Sequence, residues 1–143
     1  MIHLLTVPVL AAWVCLLVHH DVRHRRLPDG LTLPPAVSAI TVACWFAPGC
    51  LLPGLGWFLV YLLVAPASGG GIGGGDMKLA VSLGISVTVT CGFTAGFRAA
   101  MFAGVLSAAF LLCTRRDSVP HGPAMFAGSF LVLLPTILST GPL

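Results

Sequence analysis

Apolar runs separated by short polar breaks leave this chain little choice of fold. The runs cover about Leu4–Val18, Pro34–Ala47, Leu51–Ala67, Asp76–Phe97, Ala99–Thr114 and Ala124–Leu138. Each approaches the roughly 20 residues an α-helix needs to cross a bilayer. A segment in hydrocarbon must satisfy its own backbone hydrogen bonds, and a helix does so within one segment. Charged residues make up only 8% of the chain, against about a quarter in soluble domains, which excludes a soluble globular fold. All four acids are aspartates, Asp21, Asp29, Asp76 and Asp117, with no glutamate to solubilise an outer helix face. The expectation is an all-α integral membrane protein with about six transmembrane helices, forming a single domain over residues 1–143.

The breaks between runs set the boundaries and the orientation. The first run lacks the basic start and small-residue cleavage site of a secretory signal. It leads into His19-His20-Asp21-Val22-Arg23-His24-Arg25-Arg26, so it reads as a retained helix ending in a basic loop. Leu27-Pro28-Asp29-Gly30 is turn chemistry, Pro34-Pro35 opens a second helix, and Pro48-Gly49 breaks it. Basic residues favour cytoplasmic loops. Placing the first loop there puts Arg23, Arg25, Arg26, Lys78, Arg115 and Arg116 on the cytoplasmic side, with only Arg98 opposite. Six spans with both termini outside follow, and Asp21 and Asp76 fall at one membrane face. The five cysteines form no CxxC pair, so they read as small apolar residues rather than zinc ligands or a disulfide framework. Whether Cys44 and Cys50 pair stays open. Gly92, Gly96, Gly104 and Gly128 read as close helix-packing contacts.

Chemistry concentrates in Gly69-Gly70-Gly71-Ile72-Gly73-Gly74-Gly75-Asp76-Met77-Lys78. A carboxylate at the mouth of a membrane helix is costly to bury and marks a functional position. Asp76 opens the fourth helix, where the helix dipole favours negative charge. Two carboxylates at one depth, Asp21 and Asp76, can work as an aspartyl protease dyad. Adjacent like charges resist double ionisation, so one acid keeps its proton. The ionised member takes a proton from water while the protonated one polarises a carbonyl. Blander roles compete: Asp76 as a helix cap, Asp21 as an ion-pair partner of Arg23 or Arg25, Asp29 as turn or cap chemistry. Lys78 either snorkels to the interface or tunes the dyad. His19, His20 and His24 read as interfacial histidines rather than a metal cluster.

Three segments carry a family resemblance. Asp21-Val22-Arg23 with Leu27-Pro28-Asp29 resembles the D-x-R-x-x-x-I-P-N segment of type IV prepilin peptidases. Gly73-Gly74-Gly75-Asp76-Met77-Lys78 is similar to that family's G-x-G-D-x-K motif, and Val119-Pro120-His121-Gly122-Pro123 to its late I/V-P-F-G-P segment. Asp29 stands for the usual asparagine and His121 for the usual phenylalanine. The resemblance implies Asp21 and Asp76 as the catalytic pair. Arg23, Pro28, Gly73, Gly75, Lys78, Pro120, Gly122 and Pro123 are then motif residues at the substrate approach. It also implies a multi-pass protein of the prokaryotic cytoplasmic membrane with its active site toward the cytoplasm. The substrate is the leader of a prepilin or pseudopilin, cut just before its apolar helix. No metal, cofactor or nucleic acid is expected; the partners are the substrate and membrane lipid. Larger members carry a cysteine-rich N-terminal region and also N-methylate the mature pilin. The chain is expected to be the short, peptidase-only form, similar to those of tight-adherence (Flp-type) systems. A presenilin-like GxGD protease is a second reading, although the Tyr-Asp pair of those proteins is absent. A small proton- or cation-coupled transporter is the rival from another class.

Overall fold

The computed structural model describes residues 2–68, 72–114 and 120–139. They form six α-helices: α1 (Ile2–His24), α2 (Asp29–Phe46), α3 (Leu51–Val64), α4 (Gly74–Cys91), α5 (Phe93–Thr114) and α6 (His121–Ser139). Short 3₁₀ turns, Pro48–Cys50 and Ala65–Ser68, flank α3. No strand occurs among the described residues. Residues 69–71 of the glycine run, Arg115, Arg116, Asp117 and Val119 lie outside them, as does Leu143.

Helix α4 is the centre of the bundle, packed against α2, α3, α5 and α6. Ten of its 18 residues are buried, which fits a helix apolar on every side rather than along one stripe. Leu17, Trp57, Leu79 and Met125 anchor the core from α1, α3, α4 and α6. Trp13 Nε1 donates to Leu31 O at 2.9 Å, and the Trp13 ring meets Phe126 edge-on, so one side chain ties α1 to α2 and α6. The outer surface is apolar, with Trp45, Phe46, Leu63 and Leu112 largely exposed. Helices α5 and α6 are long and apolar enough to cross a membrane.

Several boundaries differ from the sequence reading. The expected basic loop after Val18 is helical through His24, so Asp21 and Arg23 sit on α1 itself. The helix stops at Arg25, whose φ of 51° is left-handed and whose N–H returns to Asp21 O at 2.8 Å. Helix α2 begins at Asp29 rather than Pro34, because the Pro28 carbonyl accepts from the N–H groups of Leu31 and Thr32. The long fourth run is cut at Cys91 instead of continuing to Phe97. Gly92 adopts φ 90°, a conformation that suits glycine, and α5 starts at once at Phe93. Helix α6 starts at His121 rather than Ala124, which brings Gly122 and Pro123 into its first turn.

Of the four glycines read as packing contacts, Gly96 and Gly128 are. A Cβ on Gly96 would meet Thr88 Oγ1 at 2.5 Å, and one on Gly128 would meet Ala103 N at 2.7 Å. Gly92 makes the turn instead, and Gly104 has nothing within 4 Å of a Cβ position. A close approach of backbone to backbone also joins α3 and α4, where a Cβ on Gly84 would lie 2.8 Å from Gly54 Cα. Backbone cannot move aside as a side chain can. Gly84→Ala should therefore destabilise the bundle by about 1–3 kcal/mol through overpacking, whereas Gly104→Ala should be neutral or stabilising. Thermal unfolding in detergent compares the two.

Candidate active site

The site forms at one end of the bundle, where the last turns of α1 meet the first turn of α6, with the first turn of α4 nearby. Along α1, Trp13, Leu17 and Asp21 are spaced four residues apart, so they share one face. Leu17 and Asp21 are both buried. Asp21 therefore points into the bundle, while Val22 and Arg23 are exposed. Its Oδ2 accepts from Gly122 N at 2.7 Å, across 101 residues of sequence. The first N–H groups of a helix have no partner within it and carry partial positive charge. The donor to Asp21 is thus one of the open groups of α6. Pro123 has no N–H to offer, and Pro120 leads into this turn half-buried. Gly122 is also the only size that fits, since a Cβ there would lie 2.8 Å from Asp21 Oδ2.

Asp76 is held by its own helix. It is the third residue of α4, and its Oδ2 accepts from Gly73 N at 2.8 Å. Gly73 is extended, at φ −96° and ψ 165°, as the residue preceding a helix should be. The capping role is therefore real, but it uses one oxygen. Asp76 Oδ1 is buried and has no hydrogen-bond partner among the described residues. Gly75 lets this turn seat against the α1–α2 connection: a Cβ there would lie 2.6 Å from Leu27 Cβ and 2.7 Å from Leu27 O. Asp76 lies within reach of the Asp21 charge. Each carboxylate keeps one oxygen on a helix N-terminus.

The remaining expected residues divide. Lys78 pairs with Asp29 Oδ1, both partly or largely exposed, so it ties α4 to the start of α2 rather than contacting either buried carboxylate. Asp29 is accordingly both first-turn residue and ion-pair partner, not part of a free turn. Pro28 precedes α2 and orders its first turn. Arg23 is on the outer side of α1, away from Asp21's carboxylate. The His20 and His24 rings are neighbours tilted at 37°, with His19 edge-on to His20, and the described residues contain no group of three side chains placed to hold a metal ion. A polar hollow of about 710 Å³ opens beside the site, lined by His20, Arg25, Arg26, Pro28, Gly74 and Lys78 among others.

Sequence reasoning passed over Trp57, Tyr61, Ser107 and His121 as site residues. Tyr61 lies within reach of the Asp76 charge and His121 within reach of that of Asp21. The Tyr61 and His121 rings are 6.0 Å apart, and His121 Nδ1 is 3.0 Å from Ser107 Oγ. The available signal was a lone Tyr one helical turn from a Trp in an otherwise aliphatic run.

A six-helix bundle with two carboxylates buried at one end, one within reach of the other's charge, defines a class of helical protein with an internal acidic site. Over residues 8–114, which include both aspartates, the chain matches the type IV leader peptidase family, and it belongs to that family. It is a type IV leader peptidase-like protease. No curated protein and no solved structure matches the chain.

Proposed function

We propose that the protein is a membrane aspartic endopeptidase that removes the leader of a prepilin or pseudopilin at the cytoplasmic membrane face. The observation that carries this reading is the burial of Asp21 and Asp76, each anchored through one oxygen, with Asp76 within reach of the Asp21 charge and its Oδ1 left unpaired. Anchoring fixes both carboxylates without using the lone pairs the reaction needs. In the working state the pair shares one proton, because neighbouring like charges resist double ionisation. The ionised carboxylate takes a proton from a water as its oxygen attacks the scissile carbonyl. The protonated carboxyl donates to the carbonyl oxygen, giving a tetrahedral diol. As the diol collapses, one hydroxyl returns its proton to the ionised carboxylate, the carbonyl re-forms, the C–N bond breaks, and the departing nitrogen takes a proton from the protonated carboxyl. Products are a free carboxyl and a free amine, and the proton count closes. The pair titrates as a unit, so neither aspartate is assigned the role of base.

The exposed apolar faces of the bundle support immersion of all six helices in lipid. The basic residues Arg23, Arg25, Arg26 and Lys78 gather at the end that holds the aspartates, which the charge bias of membrane proteins places in the cytoplasm. A reporter active only in the cytoplasm should work when fused after His24 and fail when fused after Gly92. Equal activity at both positions would contradict the alternation of spans.

The direct test uses purified protein in detergent and a peptide with a short basic leader, a glycine and a following apolar segment. Mass spectrometry should find a single cut just before the apolar segment. Intact peptide together with cation-coupled flux in vesicles would replace the peptidase reading with the transporter.

A further inference from the structure

Three buried polar atoms near the site make no well-formed hydrogen bond among the described residues: Asp76 Oδ1, Tyr61 Oη and Trp57 Nε1, the last two close enough to each other for only a long, weak contact. Leaving a buried donor or acceptor unpaired costs about 1–3 kcal/mol, so three together mark a place where a ligand completes the bonding. Of these atoms only those of Tyr61 and Trp57 belong to residues that line one cavity. Asp76 lies outside its walls but within reach of Tyr61, and a fourth such atom, Ser129 Oγ on α6, lies outside its walls as well. Trp57 and Tyr61 are one turn apart on α3, with rings 6.1 Å apart at 88°. Both are at least nine-tenths buried, and both line a cavity of about 530 Å³ between α3 and α5. The cavity is otherwise mostly apolar, with Val60, Val64, Phe97 and Met101 among its walls. Its polar side chains include Tyr61 and His121, whose rings are neighbours tilted at 55° and which stand within reach of the charges of Asp76 and Asp21 respectively.

The unpartnered set has the polarity of a peptide's complement. Tyr61 Oη and Trp57 Nε1 are donors suited to backbone carbonyls, whereas Asp76 Oδ1 is suited to a water or an N–H. An apolar cavity leading from such donors matches a chain whose cleaved bond precedes an apolar helix. We propose that Tyr61 Oη, with Trp57 Nε1 beside it, binds the backbone carbonyl at the scissile bond, while the apolar segment that follows lies along the α3–α5 cavity. This assignment rests on the dyad reading above. The hydroxyl keeps its proton throughout; its hydrogen bond strengthens as charge develops on the carbonyl oxygen. Such a donor acts mainly on kcat, because the bond is stronger in the transition state than in the bound substrate.

Tyr61 is the only tyrosine in the chain, so biosynthetic labelling with 3-fluorotyrosine gives one fluorine signal from this side chain. Two measurements are made with the leader–apolar peptide. In the first, Tyr61→Phe should lower kcat about a hundredfold with KM changed by less than about threefold, as loss of one oxyanion donor does. Its unfolding midpoint should stay at the wild-type value. In the second, the fluorine resonance of labelled Asp76→Asn protein should shift when intact peptide is added. It should stay in place with a peptide whose apolar segment is replaced by serines and glycines. Wild-type kcat in Tyr61→Phe, or a resonance that ignores the peptide, overturns the assignment and leaves the dyad standing. Wild-type protein that fails to cleave, or Asp76→Asn protein that cleaves, removes the dyad and this proposal with it. The resonance measurement decides the matter even if Tyr61→Phe does not fold.

Discussion

Asp76→Asn should lower leader cleavage by about two to four orders of magnitude, the usual cost of losing an acid–base group, and should leave the protein folded and membrane-inserted. The substitution separates the two roles of this side chain. An amide oxygen accepts from Gly73 N as a carboxylate oxygen does, so the helix start is retained. What disappears is the group able to give and take a proton at Oδ1. If capping were the only role, asparagine would serve as well and cleavage would persist. Asp21→Asn behaves alike, since its amide oxygen can still accept from Gly122 N. Asp76→Glu fails for a geometric reason: one more methylene moves the carboxylate by about an ångström, enough for roughly a hundredfold loss where alignment is tight. Asp29→Asn retains most activity. Its exposed bond to Lys78 is of a kind worth no more than about 1 kcal/mol. Gel-shift cleavage assays at matched membrane levels compare all four.

Gly122→Ala is the second large effect, and it reaches the chemistry without touching a charge. The added Cβ would lie 2.8 Å from Asp21 Oδ2 and 3.3 Å from its Cγ. The carboxylate must swing away from the α6 N-terminus, losing its anchor and its alignment with Asp76. A displacement of this size costs about a hundredfold in rate. Stability is affected in the opposite direction, because alanine is a better helix former than glycine by about 1 kcal/mol. The expected result is a large loss of kcat with an unfolding midpoint little changed. Gly74→Ala is the matched control: it also sits in a first helical turn, and nothing lies within 4 Å of its Cβ position. It should cleave at the wild-type rate. Equal rates for the two variants would show that the Gly122 contact does not position Asp21.

Much of this was legible in the residues. Six helices follow from six apolar runs, and the Asp21 and Asp76 segments meet because alternating helices bring their ends together. Boundaries were less legible. The run from Asp76 to Thr114 is almost continuously apolar, so hydropathy cannot reveal that the chain turns at Gly92; only a single positive φ does so. The start of α2 was misplaced because Pro34-Pro35 looked like an opening pair, whereas the Pro28 carbonyl had already nucleated the helix. Lys78 pairs with Asp29, 49 residues away, a contact that no local pattern encodes. Gly122 was recognisable as a motif residue, yet its function as the donor to Asp21 depends on α6 beginning one turn earlier than expected. Tyr61 stayed hidden because an aromatic in an apolar run ordinarily fills space, and its unpaired hydroxyl is visible only once the neighbours are in place.

The central claim is that Asp21 and Asp76 act as one unit, and a double-mutant cycle tests it most directly. Residual cleavage rates are measured by mass spectrometry for Asp21→Asn, Asp76→Asn and the double variant, at equal membrane levels and long incubation. Groups that work as a unit are strongly non-additive, so removing the second costs little once the first is gone. The account predicts that the double variant is no slower than the slower single variant, within about threefold. Losses that multiply across the two positions, or near wild-type cleavage by either single variant, would contradict it.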